Sequence, residues 1–350
     1  MSRRIRFSLA TLGACLTALA LLSGCGASSS SSGSGSASTS NSSNASAGKH
    51  AAPRPASLML DFTPNAIHSG VYLAKQRRDD LAAGVDLQIH VPGASTDAID
   101  LLSAGRVDFA ILDIHDLAIA DAHGRNLVGV MAIVQRPLAS VIAQARYRTP
   151  AALAGQLVGV TGDPSDLAVL HSVVAGAGGD PQSVKTITIG YDAVPDLVSG
   201  RVAAATAFWN DEGVQLASKR PGDFRVFRVE DYGAPPYPEL VLCTTRARIE
   251  ADPALVRGVV RALVAGYEGV LEDPSAGERA LLSQTQGLDQ GAVSTQLTAE
   301  LPAFRPVGGG PVGALEPRVL ARWAAWEQHF GIVARRPDVA TLFDSSFLAG

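Results

Sequence analysis

Acidic and aromatic side chains recur in this chain where an apolar run stops and a helical pattern begins. The first such corner supplies Asp61, Phe62, Asn65, His68 and Tyr72; later ones supply Asp113, His115 and Asp116, then Gln135. Further along come Gly162, Asp163, Ser165 and Asp166, then Tyr191, then Trp209, Asn210 and Glu212, and last Tyr232, Tyr237 and Glu239. Arg136 is almost the only cation among them. Such a set can stack a flat ring and accept hydrogen bonds from its amino groups. A ring contact on Phe62, Tyr72 or Trp209 is worth roughly 0.5 to 1.5 kcal/mol beyond burial. A charge-assisted hydrogen bond to a carboxylate adds about 1.5 to 3 kcal/mol. Sulfonate, nitrate or phosphate would call for Arg or for helix N-terminal N–H groups. The helix opening near Ser165 keeps an anion as the alternative ligand.

The candidate ligand-binding set is Asp61, Phe62, Asn65, His68, Tyr72, Asp113, Gln135, Gly162, Asp163, Ser165, Asp166, Trp209, Asn210, Glu212, Tyr237 and Glu239. Several members have a plainer reading. Asn65, Ser165 and Asp166 suit helix caps. His68 and Tyr72, four apart, share a helix face that can equally be core. Asp113, His115, Asp116 and His123 match no standard metal-ligand spacing, so no metal site and no cofactor are expected.

Strands must deliver these corners. Strand-like runs fall at 58–62, 87–91, 109–112, 127–134, 157–160, 186–189, 204–208, 224–229 and 239–244, with helical patterns between them. This alternation predicts an α/β fold with crossovers, in which ligands sit outside the carboxyl ends of the strands. From 245 onward helices are predicted at 254–271, 275–283, 289–300 and 316–330, several opened by Asp or Ser and Pro. Leu102-Ser103-Ala104-Gly105-Arg106-Val107 echoes Leu197-Val198-Ser199-Gly200-Arg201-Val202, and Asp61-Phe62-Thr63-Pro64 echoes Thr161-Gly162-Asp163-Pro164. Two similar lobes in series follow: 57–142 plus 245–350 as lobe I, and 143–244 as lobe II. Segments 140–145 and 240–245 are expected to pair as a hinge.

The N-terminus carries an address. Arg3, Arg4 and Arg6 precede an apolar run ending in Leu22-Ser23-Gly24-Cys25, the pattern of a secretory signal. The run is shorter than the roughly 20 residues a spanning helix needs. Residues 1–25 therefore read as a lipoprotein signal peptide with Cys25 as the lipidated residue. Residues 26–56, rich in Ser, Gly and Ala, read as a tether. The expected place is the extracytoplasmic face of the cell membrane, held by lipid. With Cys15 removed and Cys25 lipidated, only Cys243 remains as a thiol. A net charge of -4 and no basic stripe argue against a nucleic-acid partner.

Asp61-Phe62-Thr63-Pro64-Asn65 with His68, Gly70 and Tyr72 resembles the opening motif of the thiamine-pyrimidine-precursor binding family, also called NMT1/THI5-like. The resemblance continues through Gly105-Arg106-Val107-Asp108-Phe109, Gly159-Val160 with Gly162-Asp163-Pro164-Ser165-Asp166, Phe208-Trp209-Asn210 with Glu212, and Tyr232-Gly233 with Tyr237-Pro238-Glu239-Leu240. It spans most of the folded chain. It implies a type II periplasmic-binding-protein fold of two lobes that close on a solute and deliver it to an ABC permease and ATPase, as a monomer. The implied ligand is an aminopyrimidine, with riboflavin or a sulfonate or nitrate as alternatives. Phe62 stands where relatives commonly have Trp, which keeps a stacking surface and drops the indole N–H. The family also includes a pyrimidine synthase using pyridoxal phosphate. That activity goes with a cysteine-rich iron motif, which two cysteines after signal removal do not supply.

Overall fold

In a computed structural model of the protein, residues 52–348 are described, apart from 94–96 and 308. Cys25, the signal and most of the tether lie outside the described residues. The chain forms β1 (Arg54–Met59), a 3-10 turn at Ala66–His68, α1 (Ser69–Arg77), α2 (Asp79–Ala82) and β2 (Val85–His90). Next come α3 (Asp97–Ser103), β3 (Phe109–Asp113), α4 (Ile114–Ala122), β4 (Leu127–Val134) and β5 (Ala139–Gln144). Then follow β6 (Leu157–Val160), α5 (Asp166–Gly176), β7 (Lys185–Thr188), α6 (Ala193–Ser199), β8 (Ala204–Phe208), α7 (Glu212–Lys219), β9 (Phe224–Arg228) and β10 (Leu240–Thr245). The rest is helical: α8 (Arg246–Ala251), α9 (Pro253–Glu272), α10 (Pro274–Gln284), α11 (Gln290–Glu300), α12 (Pro317–His329) and α13 (Val339–Leu342).

The strands build two five-stranded sheets, ordered β2-β1-β3-β10-β4 and β7-β6-β8-β5-β9. Each has three parallel strands followed by two in antiparallel pairing. The echo seen in the sequence is thus an echo of topology: β1 matches β6, and β3 matches β8. Gly105 and Gly200, at φ 66 and 75, sit in the left-handed turns before β3 and β8, a conformation that a residue with a Cβ pays strain to adopt.

One lobe surrounds each sheet, and the chain crosses between them twice, at 135–138 and again between Arg228 and Leu240. The expected hinge strands do not pair with each other. β5 lies between β8 and β9, and β10 between β3 and β4, because each is long and apolar enough to complete the sheet it enters. Glu239 ties the two crossings: its carboxylate accepts the Leu138 and Ala139 N–H groups, the latter at 2.8 Å.

β1 starts earlier than the composition suggested. Arg54 to Ser57 pair with Val85 to Gln88. Arg54 also bonds Asp252 at 2.6 and 2.8 Å, and Ser57 bonds Asp108 through N and Oγ at 2.9 and 2.8 Å. The C-terminal helices behave as their caps predict. Asp252 and Asp273 precede Pro at the first helical position and accept from Leu255 and Ala276 N–H at 3.0 and 3.2 Å. α9 packs on β1 and β2 of the first sheet and across α1, and α10 packs on α1 and α9.

Candidate ligand-binding site

At the β1 corner, local bonding fixes one acid. Asn65 Oδ1 accepts from Ile67 N at 3.0 Å, and His68 Nδ1 accepts from Asn65 N at 3.1 Å, a reciprocal cap. With Nδ1 an acceptor, Nε2 carries the ring proton and donates it to Asp61 Oδ1 at 3.0 Å. His68, fully buried, therefore aims Asp61 from behind.

The matching β6 corner is built around Asp166. Its carboxylate accepts from Gly162 N (2.7 Å), Asp163 N (3.0 Å), Thr161 Oγ1 (2.8 Å) and Thr206 Oγ1 (2.9 Å). Gly162, at φ 109, lets the backbone turn its N–H inward. Thr161 Oγ1 also lies 2.9 Å from Asp163 Oδ2; with its one proton given to Asp166, it is placed there to accept.

The two corners face each other around a cavity of about 90 Å³. Asp61, Phe62, Asp113, Asp163, Ser165, Asp166 and Glu212 of the candidate set line it. So do Ile99, Asp116, Ser140, Thr161, Thr206, Phe208 and Asp211; no Lys or Arg is among the lining residues. The lobes touch at the rim. Asp116 accepts from Ser165 N at 2.9 Å, Gln296 donates to Asp211, and the Phe62 and Tyr191 rings meet edge to face at 4.4 Å. Outside, Phe62 and Glu212 border an open groove with Tyr191, Gln215 and Lys219.

Other members of the candidate set lie away from the cavity lining, each for a visible reason. Asn65 and His68 serve the Asp61 corner. Tyr72 is 5% exposed in the first-lobe core, so the face it shares with His68 is the packed one. Gln135 donates to Ala314 O at 2.9 Å. Trp209 donates to Pro137 O at 3.1 Å and lies under Arg228, so it braces the first crossing. Asn210 donates to Glu300 at 2.5 Å. Tyr237 is fully buried against His115 and Trp326, and Glu239 holds the crossing. Gly162 contributes backbone only.

Of the residues the candidate set lacked, Asp116 had the clearest signal. It stands three residues after Asp113 at the start of α4, on the same face. Tyr191 was visible at a strand end, but its partner Phe62 is remote in sequence.

Burial governs the electrostatics. It raises the carboxyls of Asp113 and Asp116 well above their usual range, with the Asp113 charge adding to the rise at Asp116. Burial and then the neighbouring Asp116 and Asp166 charges push Asp163 up to about 9. Burial and Asp211 push Glu212 up to about 8. At neutral pH these two are carboxylic acids, able to donate from O–H and accept at C=O.

Their pKa values are raised on folding, so the native state binds more protons than the unfolded chain above about pH 4. The stability they contribute is complete below that pH and is lost as pH rises through 8 to 9. The ligand-free protein should therefore melt at a lower temperature at pH 9 than at pH 5, and Asp163→Asn should flatten the slope. Calorimetric scans across that range check it; a melting temperature that climbs with pH would contradict the assignment.

A two-lobe periplasmic-binding-protein fold, closed over an acidic and aromatic cleft, is the class that fold and cavity define. Residues 65–277 match the model of the family described as NMT1/THI5 like, and the chain belongs to that family. It is 30% identical over 240 residues, 68% of this chain and 73% of the relative, to a formylaminopyrimidine-binding protein of Halalkalibacterium halodurans. It is 22% identical over 253 residues, 71% of this chain and 79% of the relative, to a 4-amino-5-hydroxymethyl-2-methylpyrimidine phosphate synthase of Legionella pneumophila. Among solved structures, the alkanesulfonate-binding protein SsuA from Xanthomonas axonopodis pv. citri, bound to MOPS, superposes with a TM-score of 0.67 at 20% identity. That match covers 85% of this chain and 100% of the other. The likeness shows the fold.

Proposed function

We propose that this chain is the extracytoplasmic solute-binding component of an ABC importer and that its solute is a thiamine pyrimidine precursor, an aminopyrimidine of the formylaminopyrimidine or 4-amino-5-hydroxymethyl-2-methylpyrimidine kind. The observation that carries this reading is the lining: acids and aromatic rings, with no cation. A carboxylic acid matches the edge of an aminopyrimidine with two parallel hydrogen bonds, donating to the ring nitrogen and accepting from the amino group. Asp163 and Glu212, protonated at neutral pH, suit that role without any net charge entering the cleft. Phe62 supplies the ring contact. Asp61, Asp113, Ser165 and Asp166 complete the proposed site, with Asp116 and Tyr191 added.

Size narrows the ligand. A cavity of about 90 Å³ is well below the roughly 300 to 1,000 Å³ of drug-sized pockets, which favours one substituted ring over the fused rings of riboflavin. A sulfonate or nitrate would meet carboxyls where it needs guanidinium. We place the chain among binding proteins and not enzymes, on the strength of its similarity to a binding protein over most of its length. Lipidation at Cys25, a tether, and a monomer feeding a permease and ATPase belong to the same proposal; the lobe bounds expected from sequence shift, since the sheets put β1 from Arg54 and β10 from Leu240 in lobe I and β5 from Ala139 in lobe II.

A thermal-shift panel tests it. Aminopyrimidines at about 100 times Kd should stabilise the protein by about 2.7 kcal/mol, while taurine, nitrate and riboflavin leave the melting temperature unchanged. Stabilisation by taurine or nitrate alone would overturn the ligand assignment.

A further inference from the structure

Asp113, part of the cavity wall, also belongs to a second polar cluster, whose other members, His115 and Glu239, solute binding leaves unexplained. Asp113, His115 and Glu239 each bring one oxygen or nitrogen to within 4.8 Å of the others. His115 and Glu239 are fully buried. The His115 Nδ1 edge meets the carboxylate of Glu327, from α12, in a very short contact, and Trp323 Nε1 packs on the same edge at 3.3 Å. His115 Nε2 is left buried without a hydrogen-bond partner, and so are Glu239 Oε1, 4.0 Å away, and Tyr237 Oη. The other Glu239 oxygen is committed to the Leu138 and Ala139 N–H groups.

A histidine fixed at Nδ1 by a carboxylate, with Nε2 directed at other carboxylates, is how metal-bound imidazoles are oriented. Two metal–ligand bonds of about 2.1 Å reach about 4.2 Å, so an ion spans the 4.0 Å between His115 Nε2 and Glu239 Oε1 at a wide angle. The cluster, whose atoms lie within 4.8 Å of one another, contracts on binding it. Asp113, Glu239 and His115 Nε2 thus converge on one buried point. The geometry points to a divalent first-row cation site, filled by Zn²⁺ or Mn²⁺, with His115 Nε2, Glu239 Oε1 and Asp113 as ligands and Glu327 orienting the histidine. One nitrogen and two carboxylate ligands suit either ion. Because Glu239 also holds the first crossing, the ion would join the α4 end of lobe I to the hinge. The linear spacing of Asp113 and His115 gave no hint of this, since the third ligand arrives on the return strand.

The test uses the full chain purified without an affinity tag, stripped with a chelator and titrated with ZnCl₂ and MnCl₂, with bound metal measured by elemental analysis. Wild type should take up one equivalent per chain and melt at a higher temperature. His115→Gln and Asp113→Asn should each lose that equivalent while keeping a native circular dichroism spectrum. Glu327→Gln should keep it with affinity weaker by about 10- to 100-fold. Failure of folded wild-type protein to bind an equivalent would overturn the proposal and leave a shared proton or a bridging water in its place. Unchanged binding by folded Asp113→Asn and His115→Gln would overturn it as well, by moving the metal elsewhere. Aminopyrimidine binding is read separately, so the two proposals fail separately.

Discussion

Asp166→Ala should abolish solute binding and lower stability by about 2 to 4 kcal/mol, whereas Asp166→Asn should retain most of both. The carboxylate gathers two backbone N–H groups and two threonine hydroxyls at 2.7 to 3.0 Å. Alanine leaves those donors in a largely buried corner, and each unsatisfied buried group costs about 1 to 3 kcal/mol. Water entering the cavity recovers part of that sum. The Gly162–Asp163 loop then loses the anchor that points Asp163 inward. Asparagine keeps an oxygen where Gly162, Asp163 and Thr161 converge, and its amide can donate to the Thr206 hydroxyl, which rotates to accept. Urea unfolding together with titration calorimetry on both variants checks the contrast. Equal losses in the two would mean that charge, and not the bonding pattern, holds the corner.

The second large effect is expected far from the cleft. A Cβ placed on Gly266 in α9 would lie 2.1 Å from Gly70 O and 2.8 Å from Ala74 Cβ, both in or on the backbone of α1. The next residue, Tyr267, donates to Ile67 O at 3.0 Å, and its ring fills the space over Gly70. Neither helix can move without breaking that contact. Gly266→Ala should therefore cost about 3 kcal/mol despite alanine's better helix propensity. It should also weaken binding, because α1 supports the corner that carries Asp61. Gly213 in α7 is the control: its added Cβ meets nothing closer than 3.7 Å, so Gly213→Ala should be neutral or stabilising by up to about 1 kcal/mol. Urea midpoints of the two variants would show whether close helix approach, and not glycine loss as such, sets the cost.

Where a residue's role is decided by its neighbours along the chain, the sequence was readable. Asp252-Pro253 and Asp273-Pro274 open their helices as caps should, and 127–134 is β4 to the residue. The repeated helix-Gly-strand pattern marked the two equivalent sheets. Roles decided by remote partners were not readable. Arg54 to Ala56 looked like tether because their partners, Asp252 and the β2 strand, are far along the chain. Tyr237 and Trp209 sit in motif segments and are aromatic, as a ligand site would be, but the contacts that place them in packing come from His115, Trp326 and Pro137. Asp116 faced Ser165 only once the lobes met. The motif thus located the cleft more reliably than it separated the residues lining it from those holding it up.

Isothermal titration of the purified protein with 4-amino-5-hydroxymethyl-2-methylpyrimidine and with its formylamino analogue tests the central claim most directly, with an alkanesulfonate in parallel. One site per chain is predicted for an aminopyrimidine, with Kd at or below ~1 µM, about -8 kcal/mol, lost in Asp166→Ala and silent for the sulfonate. Saturable binding of the sulfonate, with no heat from either pyrimidine, would contradict the account.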